Sequence, residues 1–332
     1  MRPMIPTAST VLLLFCLGAG VCSQEAVKED VVCDSSSCLK SQREGAVGPS
    51  RDQLLLQLST KPAKLKARHQ KLLPAANMSH PTPSIKVMSY NLMGWSSFNA
   101  NPWKGTNVLG KINAWKPDLL GAQEVEKGGW GYNDVEELLT TSTGLAFAGG
   151  SQFFRADAFQ KLEDGWTPLV GGYWMSMALY NQTPTGEKIL FYDSHWKHGY
   201  GLEQAETVAS KIAEDRLRLG SPPTILVGDT NQFCQGPQSQ ALLYLKGKLH
   251  GNHGACPVEL VDVHEEDEAR SFSDNNNPDC RVDFMLASKG QWSVVQAAID
   301  REGMGAWGSA SDHAALMATL VPLFHPAPAV ET

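Results

Sequence analysis

Residues Thr224–Cys234 read TILVGDTNQFC. The run Ile225-Leu226-Val227 has the composition of a strand buried on both faces. It stops on Gly228, and the chain then sets Asp229 and Asn231 two residues apart. Polar side chains delivered at the end of a rigid strand sit where loops commonly carry function.

The same pattern recurs along most of the chain. IKVMSYNL, PDLLGAQEV, GGSQFFRA, WMSMALYNQ, KILFYDSHW, CRVDFMLAS and AALMATLVPL are short apolar runs that end in polar residues, and each fits a buried or half-buried strand. Between them DVEELLTTST and LEQAETVASKIAEDRLRLG have helical spacing. The second puts Leu202, Ala205, Val208, Ala209 and Ile212 on one face, with Gly220 near its end. Alternating strands and helices over about 240 residues predict one α/β domain, two packed sheets with helices outside. No internal repeat is visible.

The domain accounts for residues 85–323 and leaves 324–332 as a tail. Ahead of it, MRPMIPTASTVLLLFCLGAGVCSQ has one positive charge, a short apolar run and small residues before Gln24, the pattern of a signal peptide over residues 1–23. The apolar run is shorter than the roughly 20 residues needed to span a bilayer, and no other stretch is longer. A secreted protein with no stable membrane insertion, a monomer, is therefore expected. Residues 24–84 are small, polar and Pro-rich, and are read as a low-complexity linker or pro-segment. They carry nine Lys+Arg against six Asp+Glu, whereas residues 84–332 carry 18 against 29.

Export permits disulfides. Loss of Cys16 and Cys22 with the signal leaves Cys33, Cys38, Cys234, Cys256 and Cys280, an odd number that strands one thiol. Cys33 with Cys38 is the local pairing. NMS at Asn77 and NQT at Asn181 fit the N-glycosylation pattern.

Asn91, Glu124, His195, Asp229, Asn231, Asp283, Asp312 and His313 all lie at or beside the end of a strand-like run. Glu124 closes a strand buried on both faces, where an isolated charge is costly, and its hard oxygens suit Mg²⁺ or Ca²⁺. His195 and His313 are the histidines at such ends. His313 follows Asp312, with Asp283 available from another strand, and a carboxylate that fixes the tautomer makes an imidazole a general acid or base.

Taken in order, VMSYNLMGW, KPDLLGAQEVE, FFRADAFQKLEDGW, FYDSHWKHG, ILVGDTNQF, CRVDFMLAS and SDHAAL resemble the motifs of the endonuclease/exonuclease/phosphatase superfamily over residues 85 to about 322. The resemblance implies a DNase I-like four-layer α/β sandwich that hydrolyses phosphate esters with a divalent metal, Mg²⁺ or else Mn²⁺ or Ca²⁺. It places Asn91, Glu124 and Asp312 at the metal, with Glu124 a direct ligand. Asp229 would activate water, Asn231 would hold a phosphoryl oxygen or the metal shell, and His313, oriented by Asp283, would contact the phosphate. His195 matches the family's strand-end histidine, although Ser194 precedes it here. In-line attack on phosphorus needs such a cation and such donors.

Cysteine placement resembles the secreted DNase I-like branch, which implies a Cys234–Cys280 bridge. Two features oppose DNA as the substrate. Where that branch carries an Arg two residues after the metal Glu, this chain has Glu126, and where it carries a Glu to pair the His195-type imidazole, this chain has Ala148. Nucleic-acid affinity rests on Lys and Arg at phosphates, and the acidic domain has no dense basic cluster. The expected partner is a phosphate ester, DNA or RNA included, with an inositol phosphate or a phospholipid headgroup such as sphingomyelin as the rival. A non-catalytic binding protein is disfavoured because every site residue is present.

Three other constellations are weaker. Ser311 with His313 suggests acyl transfer but lacks a nucleophile elbow. His250, His253 and Cys256 suggest zinc but lack a fourth ligand. Trp95, Trp103, Trp130, Tyr132, Trp166, Tyr173, Trp174 and Trp196 lie near loops where they could stack on a base or sugar, although the core is the destination expected for about half.

Overall fold

A computed structural model of the chain describes residues 83–93, 102–125, 135–183, 185–232, 239–265, 281–302, 304 and 311–323. The chain runs β1 (Ile85–Ser89), α1 (Pro102–Trp115), β2 (Leu119–Gly121), α2 (Val135–Thr143), β3 (Ala146–Gly149), β4 (Gln152–Phe154), β5 (Phe159–Leu169) and β6 (Tyr173–Gln182). It continues β7 (Glu187–His195), α3 (Gly201–Leu219), β8 (Thr224–Asp229), α4 (Gln240–Leu245), β9 (Leu260–Asp262), β10 (Asp283–Ser288), β11 (Trp292–Asp300) and β12 (Ala315–Pro322).

Two six-stranded mixed sheets result, in the orders β11-β12-β1-β2-β4-β3 and β5-β6-β7-β8-β10-β9. Each is built round one parallel pair, β1 with β2 and β7 with β8, and the other pairings are antiparallel. A helix makes each parallel crossover, α1 for the first pair and α3 for the second, as parallel strands require.

Strand alternation then sorts the side chains. Val87, Leu119 and Leu320 of the first sheet meet Tyr180, Phe191, Val227 and Met285 of the second in the core between them. The outer face of the first sheet, Met88, Leu120 and Met317, takes Val108 and Ile112 of α1 and Leu139 of α2. The outer face of the second, Leu190, Tyr192, Leu226 and Phe284, takes Ala205, Val208, Ala209 and Ile212 of α3 and Leu242 of α4. The result is the expected four-layer sandwich. Gly220 ends α3 in the left-handed region at φ 82° and returns its N–H to the Arg216 carbonyl, a turn that glycine makes without steric cost.

Among the described residues no helix is long and apolar enough to cross a membrane. Cys256 is a free, half-buried thiol, while Cys33, Cys38, Cys234 and Cys280, and so both pairings anticipated above, lie outside the described residues. Asn77 does too. Asn181 is a half-buried residue of β6, in register with Gln160 and Lys188, a strand position and not the surface loop that glycosylation favours.

Candidate active site

The opening stretch becomes β8 and the turn after it. Gly228 is fixed by its neighbours: with φ 153°, a Cβ there would run into the Ser194 carbonyl oxygen of β7. Only glycine lets β8 lie this close to β7 just before Asp229. Register does the rest. His195 pairs with Asp229, and Asp229 with Asp283, so three candidate residues form one row across β7, β8 and β10. Phe191, Val227 and Met285 in the core between the sheets are spaced by even steps from these residues, so the row faces the same way.

The first sheet brings its residues to the same end. Backbone pairing continues past β1 and β2, with Tyr90 N–H donating to the Gly121 carbonyl at 2.9 Å and Leu92 N–H to the Gln123 carbonyl at 3.1 Å, so Asn91 and Glu124 come out side by side. Asn91 Nδ2 donates to Glu124 Oε1 at 3.2 Å and to Asp229 Oδ2 at 3.0 Å, tying the two sheets together. Asp312 and His313 precede β12. Ser311 Oγ donates to the Asn91 carbonyl at 2.7 Å and accepts the His313 N–H at 3.1 Å.

Asp229, wholly buried, is the hub. Its Oδ2 lies 3.8 Å from His195 Nε2 and 3.8 Å from His313 Nε2, and its Oδ1 accepts the Asn231 N–H at 2.7 Å. Asn231 Nδ2 stands 2.8 Å from His195 Nε2 and 3.0 Å from the Trp196 carbonyl. His313 Nδ1 lies 2.9 and 3.0 Å from the two Asp283 oxygens, which holds its Nε2 toward Asp229. Asp312 Oδ1 is 3.9 Å from that Nε2. All eight predicted residues are therefore gathered.

Charge and burial act in opposite directions here. Burial pulls the His313 imidazolium down, but Asp283, Asp229 and Asp312 together push it up to about 10. Burial raises Glu124, against the lowering pull of His195 and the Asn91 amide. Glu124 and Asn231 also sit at positive φ, 64° and 48°, where a non-glycine residue carries strain of order 1–3 kcal/mol, typical of functional sites.

The donor set fits a divalent cation. Glu124 Oε2 is buried with no hydrogen-bond partner among the described residues, an arrangement that a bound cation would relieve. A second grouping, Asp229, Asp283 and His313, has ligand atoms within 4.8 Å of one another. Both Asp283 oxygens are within reach of His313 Nδ1, however, so in that trio Asp283 is already engaged by the imidazole. The His250, His253 and Cys256 trio does not gather: His253 is exposed beside Glu206, and Cys256 Sγ points to the Leu245 carbonyl.

Several features had no sequence signal. Asp193, one step below His195 on the same face of β7, accepts from Gln123 Nε2 and Ser151 Oγ between the sheets, anchoring the residue before Glu124. Ala148 is buried in the core, and His195 instead has the Tyr173 ring edge-on at 5.1 Å. His264, buried after β9, is a third strand-end histidine; its Nε2 is 3.1 Å from the Met317 carbonyl, away from the site. Of the aromatics, Trp196 is core, Tyr173 and Trp174 are half-buried and Trp166 is exposed. Trp95, Trp130, Tyr132 and the Trp103 side chain lie outside the described residues, as does Glu126.

The profile described as Endonuclease/Exonuclease/phosphatase family matches residues 88–313, a span that begins in β1 and ends on His313. Among curated proteins none matches the chain. Solved structures share the fold. The human Nocturnin catalytic domain with bound sulfate superposes with a TM-score of 0.57 at 17% identity, covering 73% of this chain and 96% of that one. The Bacteroides thetaiotaomicron mannosyl-6-phosphatase Bt3783 gives 0.53 at 20% identity, over 71% and 99%. D. rerio TDP2 complexed with single strand DNA product gives 0.54 at 17% identity, over 71% and 98%.

Proposed function

Since the chain belongs to the endonuclease/exonuclease/phosphatase family, we propose that it is a divalent-metal-dependent phosphoesterase that hydrolyses phosphodiester bonds with activated water. The observation that carries this reading is the placement of Asp229, buried, bonded to Asn91 and Asn231, and 3.8 Å from the Nε2 of two histidines. A carboxylate so held can take a proton from water while charged donors around it face the phosphoryl group.

Each residue has a part. Glu124 and Asn91, with Asp312 at the margin, would hold a cation, Mg²⁺ or else Mn²⁺ or Ca²⁺, which would neutralise charge building on the phosphoryl oxygens. Asp229 accepts the proton of the attacking water. Asn231 fixes that carboxylate through its backbone N–H and presents its amide beside His195 Nε2. His313, charged and locked by Asp283, donates from Nε2 to a phosphoryl oxygen. His195 Nε2, facing the Asn231 amide N–H, accepts from it and holds that amide beside Asp229.

The leader at residues 1–23 directs export, residues 24–84 form a linker or pro-segment, and residues 85–323 are the catalytic domain. Secretion would give a mature chain whose N-terminus, sequenced directly, lies near Gln24; retention of residues 1–23 on the secreted protein would oppose it.

The direct test is hydrolysis by the purified protein of supercoiled plasmid, bis-p-nitrophenyl phosphate and p-nitrophenyl phosphate, each with Mg²⁺, Mn²⁺, Ca²⁺ or EDTA. Cleavage of a diester that EDTA abolishes is expected. Nicking of plasmid would identify a nuclease, and cleavage of the small diester alone would identify another phosphodiesterase. Activity indifferent to EDTA would sink the metal mechanism, and no turnover of any ester would favour a binding protein on this fold.

A further inference from the structure

One step in from His195, the interface between the sheets turns polar. Asp193 stands two residues before His195 on β7, on the same face and only 1% exposed. One of its oxygens accepts from Gln123 Nε2 and the other from Ser151 Oγ, so a carboxylate of the second sheet is gripped by two residues of the first. Gln123 Nε2 also reaches Ser89 Oγ at 3.4 Å. Ser176 Oγ, which accepts from Gln152 Nε2 at 3.1 Å, donates to the Asp193 carbonyl at 3.3 Å. Gly121 at the end of β2 leaves the space for this: a Cβ there would stand 2.9 Å from the Asp193 carboxyl carbon. Neighbouring positions of the same interface, Val87, Leu119, Phe191 and Val227, are apolar.

Stability does not account for this polar layer. A carboxylate buried between sheets loses its hydration, and well-packed apolar side chains in place of buried ionic groups are often neutral or stabilising. Placement does account for it. The Gln123 carbonyl accepts the Leu92 N–H at 3.1 Å and its amide is fixed by Asp193, so the residue before Glu124 is held at both ends. Ala122 is held as well, its N–H donating to the Ser151 carbonyl at 2.8 Å. Glu124 follows at φ 64°, a conformation that is strained for a non-glycine residue and persists where its surroundings over-determine it. Its Oε2 is buried with no hydrogen-bond partner among the described residues. That carboxylate is therefore aimed by the turn that carries it and by the Asn91 amide on its other oxygen.

We propose that Asp193 is a positioning residue for the cation site: acting through the Gln123 side chain, it holds the Glu124 turn in place and so sets the affinity for the divalent metal. The proposal rests on the metal-dependent phosphoesterase reading and deepens it. Asp193 touches neither substrate nor cation in this role. Its effect passes along one hydrogen bond to Gln123 and one peptide link to Glu124, whereas its bond to Ser151 fastens the sheets without reaching the ligand.

The experiment measures Mn²⁺ binding to the full chain directly, by electron paramagnetic resonance of the free ion, beside urea unfolding. Asp193→Ala should raise the Mn²⁺ dissociation constant by ~10–100-fold, the range that loss of a partner behind a metal ligand brings, and the Mg²⁺ needed for half-maximal diester hydrolysis should rise in proportion. Ser151→Ala removes the other bond to the same carboxylate; it should lower the urea midpoint and leave Mn²⁺ affinity unchanged. Asp193→Asn keeps an acceptor for Gln123 and can donate to Ser151 Oγ, so it should bind Mn²⁺ as the unaltered protein does. Equal Mn²⁺ affinity in Asp193→Ala and the unaltered protein would overturn the proposal, as would an Asp193→Asn as weak as Asp193→Ala, which would show the carboxylate charge acting on the cation directly. Should Asp193→Ala fail to fold, Gln123→Met combined with Asp193→Leu takes its place, since replacing both partners of a bond by apolar groups of similar shape can be nearly neutral. That pair should show the same loss of Mn²⁺ affinity, and full affinity in it would overturn the proposal. Absence of Mn²⁺ binding by the unaltered protein is a different failure: it would overturn the cation site itself, and the role of Asp193 with it.

Discussion

The two sheets are wired alike but arm the site differently. Each has a central parallel pair whose carboxyl ends point at the site, flanked by an antiparallel strand that begins there: β12 beside β1 and β2, β10 beside β7 and β8. In the second sheet, His195, Asp229 and Asp283 are themselves ladder residues. In the first, Asn91 and Glu124 stand beyond the ladder and His313 before it. Glu124 is at φ 64°, and side-chain bonds from Asn91 and Ser311 hold the group together. A residue in a regular ladder is positioned by the backbone alone; for Asn91 and Glu124 backbone pairing runs on only as far as Leu92 and Gln123, and side-chain bonds complete their placement. In the proposed mechanism proton transfer, which tolerates little misplacement, falls to the first kind, and a cation with adaptable ligands to the second.

The strongest way to break this contrast is Asp229→Asn. The amide keeps the shape and removes the proposed base, so diester hydrolysis should fall at least ~10²-fold, at every Mg²⁺ concentration. Recovery at high Mg²⁺ would show that Asp229 serves the metal and that the division between sheets is wrong. Glu124→Gln should behave in the opposite sense. Its loss should raise the Mg²⁺ needed for half-maximal rate by ~10–100-fold, the range seen when groups around a metal are altered. A rate loss that added Mg²⁺ does not restore would put Glu124 in the proton transfer instead.

Asp283→Asn sharpens the second-sheet half. His313 is charged below about 10, so donation from its Nε2 is lost as pH rises through that value. Burial alone would lower the imidazolium, and Asp283 is the largest influence raising it. The substitution should therefore move the alkaline fall in rate to lower pH and cost about 10-fold at neutral pH through the loosened ring. An unmoved alkaline limb would show that His313 is not the donor. Gly228→Ala tests the ladder without touching a catalytic group. Its Cβ meets the backbone of Ser194, and overpacking of this kind costs about 1–3 kcal/mol, read as a lower urea midpoint at unchanged slope. An unchanged midpoint would mean that β7 and β8 can separate, and with them the row.

What the sequence showed of the fold follows from burial. The eight strands legible as apolar runs, among them Ile85–Ser89 and Thr224–Asp229, are interior strands covered on both faces. The four that went unread, β3, β5, β9 and β11, are the four sheet edges. In β5, Phe159–Leu169, buried ends enclose a run of alternating exposed residues, so no hydrophobic run marks it. Helices α1 and α4 were missed for the same reason of weak local patterning. The site was legible because its residues close apolar runs, while the Asp193–Gln123 and Asp193–Ser151 bonds join residues 70 and 42 positions apart that only packing brings together. The shared wiring of the sheets leaves no repeat in the letters, because strand order is set by which faces are buried.

Ser311→Ala is the finest discrimination. The sequence suggests Ser311 as a nucleophile with His313 as its base, a reading already weakened by the missing nucleophile elbow. In the structure Ser311 Oγ is wholly buried, donates to the Asn91 carbonyl at 2.7 Å and accepts the His313 N–H at 3.1 Å, while the His313 ring is held by Asp283. A hydroxyl joined to two backbone groups in this way spans the point where the first sheet's loops meet. Its removal leaves a carbonyl and an N–H each short of a partner, at about 1–3 kcal/mol of stability, and lets Asn91 and His313 drift slightly. Diester hydrolysis should then fall by less than ~10-fold, well short of the loss that removal of a nucleophile brings, and raising Mg²⁺ should recover part of it, because Asn91 belongs to the side-chain-positioned half. Abolition of activity by Ser311→Ala, with the fold intact by circular dichroism, would return the hydroxyl to the chemistry and end the contrast between the two sheets.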